Sequence, residues 1–294
     1  MTTTRRGADD PGMSTPRPQF VIAGAMRSGT TSLHHWLRHH PAVFMPTVKE
    51  VHYFDLHYDR GPQWYARHFV PAADDQVAGE ATPEYLYLPW ARERLSADLP
   101  AARVIVSLRD PVERAWSHYC MLRERGREDL PFEAALDSEP TRLQEKINWS
   151  RYGYLSKGRY AEQLADLFAR HGRENVLVLL FERDLVAQPQ DTFARLCQFI
   201  GVDASHGTPA VVGSTVNAAV RLRSVRVREM ARRLPKPARN AVGRWNALPQ
   251  HNEPLPQRLR DRLHEELADS TRELEVLLGT ALPEWLGGRV DRGT

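Results

Sequence analysis

Arg27 stands inside a glycine-punctuated turn, Gly24-Ala25-Met26-Arg27-Ser28-Gly29-Thr30-Thr31-Ser32. The turn follows four apolar residues, 20–23, and opens into an amphipathic run, 33–37. A strand, a glycine loop and a helix start, in that order, build a cradle for a phosphate-like anion. Loop N–H groups converge on the anion, and the helix N-terminus adds partial positive charge. The spacing is close to the ATP-binding loop G-x-x-x-x-G-K-[ST], with Gly24 and Gly29 as the glycines and Thr31 as the final hydroxyl. Thr30 takes the place of the lysine that reaches the β- and γ-phosphates, which argues against NTP hydrolysis. The strong cation is Arg27 instead, so the loop suits a phosphate-like group other than a triphosphate tail.

Two further groups carry chemistry. Val48-Lys49-Glu50-Val51-His52-Tyr53-Phe54-Asp55 sets a cation, a carboxylate and an imidazole beside aromatics. Read alone, a surface turn with an aromatic anchor accounts for it at least as well as acid–base chemistry. A metal set of His52, Asp55 and His57 is weaker still. Residues 103–108 form a short apolar run, followed by Arg109-Asp110-Pro111 and a helical pattern that contains Ser117. Pro111 suits the first turn of a helix and Asp110 its N-cap. Arg109 then sits at the carboxyl end of a strand, where open α/β sheets bind ligands. Ser117 lies about two turns into the helix at ~3.6 residues per turn. The pair is placed for a second anionic group; a structural Arg–Asp pair is the competing role.

These groups need a scaffold. Apolar runs predict strands over 20–23, 103–108 and 175–181, with weaker candidates around Val77 and near Leu86. Helical patterns cover 30–40 (closed by Pro41), 88–99 (closed by Pro100), 158–170, 190–200 (closed by Gly201) and 257–278. Residues 61–69 read as a short helix with Trp64, Tyr65 and Phe69 inward. Strands separated by helices predict a three-layer α/β/α fold with a mostly parallel sheet. His34, His35, His39 and His40 have no carboxylate or cysteine company at ligand spacing and read as a solvated helix face.

Composition narrows the rest. The chain has 294 residues, enough for one large domain, and a hydrophobic fraction of 41% supports a sizeable core. A net charge of +3 gives no global nucleic-acid footprint. Lys49, Lys146, Lys157 and Lys236 are the only lysines, so the positive charge is nearly all arginine. Cys120 and Cys197 fall within helical patterns and read as buried thiols, not a disulfide framework. Arg5 and Arg6 precede no apolar stretch, and no run is long enough to span a bilayer, so a soluble cytoplasmic protein is expected. Residues 1–18 read as a disordered lead-in and 19–294 as one domain. Its core is 19–201, followed by an arginine-rich lid and a helical segment over 202–294.

Taken together, four stretches resemble the sulfotransferases that use 3′-phosphoadenosine-5′-phosphosulfate (PAPS), nearest to the heparan-sulfate branch and its soluble bacterial relatives. Residues 25–32 look like that family's 5′-phosphosulfate loop. Lys49-Glu50-Val51-His52-Tyr53-Phe54-Asp55 looks like the Lys-Glu-x-His-Phe-Phe-Asp segment of the glycan-modifying branch. Residues 109–117 look like the 3′-phosphate motif. Leu180-Phe181-Glu182-Arg183-Asp184-Leu185, with a helix ending at Phe199-Ile200-Gly201, looks like a later strand–helix unit.

The resemblance implies that Arg27, Ser28, Gly29, Thr30, Thr31 and Ser32 hold the 5′-phosphosulfate, and that Arg109 and Ser117 hold the 3′-phosphate. It implies Glu50 as general base, with His52 as the alternative, and Arg27 with Lys49 as stabilisers of developing charge. PAPS would be the donor and PAP the product, with no metal required. Arg221 and Arg223 are lid candidates over the nucleotide. The acceptor would be a glycan or another small molecule, with no nucleic acid and no membrane span. One departure is Ala81, where heparan-type relatives usually carry lysine. A P-loop kinase or NTPase, and a non-catalytic module that binds a phosphorylated ligand, are the competing functions.

Overall fold

The structure is a computed structural model. It describes residues 16–206, 211–213 and 254–287, with a few residues between 221 and 248. Its centre is a five-stranded sheet, every pair parallel, built from β1 (Phe20–Gly24), β2 (Val43–Phe44), β3 (Val77–Ala81), β4 (Arg103–Leu108) and β5 (Val176–Leu180) in the order β2-β3-β1-β4-β5. Side chains alternate across a strand, and both faces here are covered, so the strands are mostly apolar, with Glu80 of β3 and Ser107 of β4 as buried polar exceptions. Val21, Ala23, Val104, Val106 and Leu108 enter one core; Phe20, Ile22, Ile105 and Leu179 enter the other.

Helices α1 (Thr30–Arg38) and α9 (Pro189–Ile200) cover the second face. Helices α2 (Tyr53–Leu56), α3 (Pro62–Ala66), α4 (Pro89–Asp98) and α8 (Tyr160–His171) cover the first. A third cluster joins α5 (Pro111–Glu124), α6 (Phe132–Arg142), Tyr154 beyond α7 (Trp149–Tyr152), and α10 (Gln257–Leu278). Leu263 and Leu267 of α10 are fully buried there, each contributing about 1.5–3 kcal/mol of burial energy. The connections from β1 run toward β2 and β3 on one side, and the chain then crosses to β4 and β5 on the other. The carboxyl ends of β1 and β4 therefore flank the switch point where such sheets open a crevice.

The three firm strands fall where their apolar runs place them, and α10 has the bounds its pattern predicts. The candidate at Val77 is β3, but the one near Leu86 is not a strand. Tyr85 N–H donates to Thr82 O, and Leu86 N–H donates to Ala23 O, in a turn against the sheet's end. β2, too short for periodicity, is an addition. The histidine reading needs correction at two positions. His34 is buried on the Leu33–Leu37 side of α1, and His40, also buried, binds Asp203 O through Nε2 at 2.9 Å. His39 is exposed and His35 half-buried, as on a solvated face. In α3, Tyr65 is buried and Trp64 half-buried. Cys120 on α5 and Cys197 on α9 form no disulfide; Cys197 is buried as expected, whereas Cys120 is half-buried.

Candidate active site

Local backbone chemistry shapes the loop after β1. Ala25 N–H donates to Ser107 O at 2.8 Å, and Ser107 Oγ donates to Ser28 O at 2.6 Å, so β4 holds the loop from beneath. Gly29 caps α1 at φ 83°, a left-handed backbone that favours glycine. A Cβ there would lie 2.6 Å from Leu185 Cδ2 and 2.8 Å from Phe181, so space forbids a side chain as well. Ser32 N–H donates to Gly29 O at 2.9 Å, and Thr30 and Thr31, whose N–H groups precede the first helical hydrogen bonds, line the crevice. Ser28 is buried beneath with an unpartnered Oγ. Arg27 itself has a positive φ of 71° and donates from Nε to Ser117 Oγ at 3.0 Å. Burial first, then the charge of Arg109, lowers the Arg27 pKa.

The turn that carries Glu50 is held by a buried carboxylate that sequence reading missed. Glu80 of β3 accepts from Tyr65 Oη at 2.7 Å, Tyr85 Oη at 3.0 Å and Thr82 Oγ1 at 2.8 Å. Tyr85 Oη in turn accepts from Tyr53 N–H at 2.9 Å, and Thr82 Oγ1 from His52 N–H at 3.4 Å. Burial raises the Glu80 pKa to about 7 despite those three hydroxyl donors. The network fixes His52 at φ 56°, an uncommon conformation for a non-glycine residue.

That geometry sets the electrostatics. His52 Nδ1 is 2.7 Å from Asp55 Oδ2, and its Nε2 is 3.2 Å from Glu50 Oε2; Lys49 Nζ is 3.3 Å from Glu50 Oε1. Burial would lower the His52 pKa, but the hydrogen bonds to Asp55 and Glu50 outweigh it and raise it to about 10. His52 is therefore an imidazolium with both N–H groups engaged and no lone pair free. Burial pushes Glu50 up, but the His52 hydrogen bond and the Lys49 charge hold it below the usual carboxylate range. His52 and Asp55 bond each other, His57 does not join them, and no group of three or more metal-ligating side chains occurs among the described residues.

Across the crevice, Asp110 caps α5 by accepting from Val112 N–H at 2.8 Å and Glu113 N–H at 3.2 Å. His264 of α10 reaches back to it, Nε2 to Oδ2 at 3.0 Å, and Arg260 pairs with Glu113. Arg109 has loose polar neighbours: Arg27 O at 3.5 Å, Glu182 Oε1 at 3.6 Å and Glu113 Oε2 at 3.9 Å, with the Phe181 ring 5.3 Å away. Its Nε has no hydrogen-bond partner. His264 and Arg260 carry no local motif signal, and the 180–185 stretch that holds Glu182 gives it no role; only the fold brings them here.

Arg27, Gly29, Thr30, Thr31, Ser32, Lys49, Glu50, His52, Arg109 and Ser117 thus line one cleft of about 1330 Å³, with Ser28 beneath it. Ala81 is buried at the end of β3 in the core under α1, and Lys49 and His52 are the cations beside Glu50. Arg221 lies in a two-residue strand, β6 (Arg221–Leu222), antiparallel to β7 (Ala247–Leu248), and Arg223 lies outside the described residues. No described helix is long and apolar enough to cross a membrane.

Comparison with known proteins agrees with this geometry. The family model described as "Sulfotransferase domain" matches residues 17–230. Heparan sulfate glucosamine 3-O-sulfotransferase 3B1 of Homo sapiens is 32% identical over 186 residues, 63% of this chain and 46% of that protein. The membrane-associated sulfotransferase kil1 of Dictyostelium discoideum is 42% identical over 105 residues, 35% of this chain and 22% of its own. The chain thus spans less than half the length of these two curated relatives. The crystal structure of a sulfotransferase from Alicyclobacillus acidocaldarius superposes with a TM-score of 0.71 at 27% identity, covering 92% of this chain and 98% of its own. A parallel sheet with a glycine loop at its switch point, a match across most of the chain and this shared fold lead to one conclusion: the chain belongs to the sulfotransferase domain family.

Proposed function

We propose that this protein moves the sulfuryl group of PAPS to a hydroxyl, or amine, of a carbohydrate or other small-molecule acceptor and releases PAP. The observation that carries the reading is the contact between Arg27 and Ser117, 90 residues apart, in the cleft that also holds Glu50. It joins a loop suited to a 5′-phosphosulfate to a helix suited to a 3′-phosphate. Thr30 and Thr31 at the start of α1 and the loosely held Arg109 guanidinium line this cleft and fit a ligand with two anionic ends. Bound PAPS supplies an activated sulfuryl group.

In this reading the α1 N-terminus and residues 28–32 hold the 5′ end, and Arg109 with Ser117 holds the 3′-phosphate. Glu50 takes the acceptor's proton, because its carboxylate keeps lone pairs whereas His52 has both nitrogens committed. The His52 imidazolium orients Glu50 and holds it ionised. Arg27 and Lys49 stabilise charge that grows on the bridging and sulfuryl oxygens. The names of the relatives, which specify a glucosamine 3-hydroxyl, favour a carbohydrate acceptor.

The test combines calorimetric titration of PAP beside Mg·ATP with transfer of labelled sulfuryl to a panel of carbohydrate acceptors. Tight PAP binding, weak ATP binding and a turnover loss of roughly 10²–10³-fold in Glu50→Gln are expected. Preference for Mg·ATP, or full turnover in Glu50→Gln, would refute it.

A further inference from the structure

Resting on that reading of Arg109, we propose that Glu182 is the positioning residue for its guanidinium, and that Glu182 takes up a proton from solvent when a 3′-phosphate binds. Glu182 opens the π-helical turn Phe181–Val186 after β5 and faces Arg109 from behind the cleft. Its Oε1 is 3.6 Å from Arg109 Nε, and its Oε2 is shut off from solvent without a hydrogen-bond partner. Arg109 Nε is likewise shut off and unpartnered. The two groups face each other at ion-pair distance without a formed hydrogen bond.

The charges around this corner do not balance once a phosphate arrives. From β4 and α5 come Arg109, Asp110 and Glu113; from α10 come Arg260 and His264; from α8 comes Tyr160, whose Oη donates to Arg109 O at 2.9 Å. On the turn itself, Arg183 is committed to Glu284 and Asp184 to Arg195. With Arg27, whose carbonyl lies 3.5 Å from Arg109 and whose pKa the Arg109 charge lowers, three guanidinium groups meet three carboxylates before any ligand is bound. A phosphate dianion adds two more negative charges beside Arg109, and neutralising one carboxylate relieves the repulsion.

The hydrogen bonds decide which one. Asp110 accepts from two backbone N–H groups and bonds His264, and Glu113 pairs with Arg260. Glu182 alone keeps a buried oxygen with nothing donating to it. The side chain is 38% exposed overall, but burial of its inner part raises its pKa to about 7, against the backbone N–H groups and Arg109 that pull it down. Protonated, it leaves the full charge of Arg109 to the phosphate; ionised, it competes with the phosphate for the same guanidinium.

The sign follows from linkage. A group that must be protonated in the complex makes PAP affinity fall as pH rises through its free-state pKa. The affinity therefore falls between pH 7 and 8, and part of a proton is taken up at pH 7. The 3′-phosphate is already largely dianionic in that range, its second pKa being near 6.

The experiment is calorimetry of PAP binding to the full chain at pH 7, in two buffers of different ionisation enthalpy, with affinities also measured at pH 8. Wild type, Glu182→Gln, Glu182→Asp and Arg109→Ala are compared, with AMP as the probe that lacks a 3′-phosphate. Wild type should take up a measurable fraction of a proton more than Glu182→Gln with PAP, and none more with AMP. Glu182→Asp should restore part of the uptake, and Glu182→Gln should bind PAP equally at pH 7 and 8. Equal proton stoichiometry in wild type and Glu182→Gln, or equal uptake with AMP, overturns the role of Glu182 while leaving the nucleotide site in place. Absence of PAP binding, or a wild-type affinity in Arg109→Ala, overturns the 3′-phosphate reading and this inference with it.

Discussion

Arg109→Ala should separate the two ends of the nucleotide. In the free protein the polar neighbours of Arg109 lie 3.5–3.9 Å away, too far for strong hydrogen bonds, so the substitution removes little from the unliganded state. Its side chain is 24% exposed, so charge-assisted bonds to a phosphate are only moderately screened. Two such bonds at about 1.5–3 kcal/mol each, discounted for exposure, give a loss of about 2–4 kcal/mol, or about 30- to 1,000-fold in PAP affinity. AMP, without the 3′-phosphate, should weaken by less than about threefold. Ser117→Ala should behave differently. Ser117 Oγ accepts from Arg27 Nε at 3.0 Å and in this reading also donates to the 3′-phosphate, so its loss frees the loop arginine and weakens AMP about fivefold, while PAP, which loses the phosphate bond as well, weakens by about tenfold or more. Calorimetric titration of both nucleotides against both variants reads these four numbers. Equal losses for PAP and AMP in Arg109→Ala, or none, would remove Arg109 from the 3′-phosphate and refute the reasoning.

In wild type the His52 imidazolium contributes fully below pH 6.5, and its contribution is lost as pH rises through about 10. Asp55→Asn removes the larger of its two raising partners, so turnover and the His52 ring resonances should titrate at lower pH; an unshifted NMR titration would contradict this. Lys157 is buried and donates to both Glu84 oxygens, at 2.8 and 3.0 Å, and to Ser150 O. Lys157→Met should cost about 3–5 kcal/mol in urea denaturation, because it strands Glu84, and the double variant Lys157→Met/Glu84→Gln should be less damaging than the single one. Gly29→Ala should cost about 1–3 kcal/mol from its positive φ alone and abolish tight PAP binding, with Gly279→Ala, which has open space around it, as the milder comparison.

The sequence made legible what is local. The Phe20–Gly24, Arg103–Leu108 and Val176–Leu180 strands announce themselves because burial on both faces makes them continuous apolar runs. Asp110 before Pro111 marks a helix start by cap chemistry alone, and the cap bonds are formed. The loop and the Lys49–Asp55 stretch carry chemistry in residue types at fixed spacing. What stayed hidden depends on distance along the chain. The Glu80 network that holds the Glu50 turn needs Tyr65 and Tyr85 folded onto β3. His34 and His40 read as solvated because helix periodicity does not say which polar residue the next layer covers. Glu182 has no partner in its own segment; the parallel pairing of β4 with β5 brings it to Arg109.

The bond between His264 and Asp110 joins residues 154 positions apart. At about 5–20 residues per second, a ribosome makes the second partner roughly 8–30 s after the first. All five strands of the parallel sheet are synthesised by Leu180, and the phosphate loop can close on β4 by then. The corner around Arg109 cannot: Asp110 and Glu113 wait for α10 to supply His264 and Arg260. The nascent chain therefore completes its sheet first, and the contacts of His264 and Arg260 with the corner around Arg109 form only after α10 has been made.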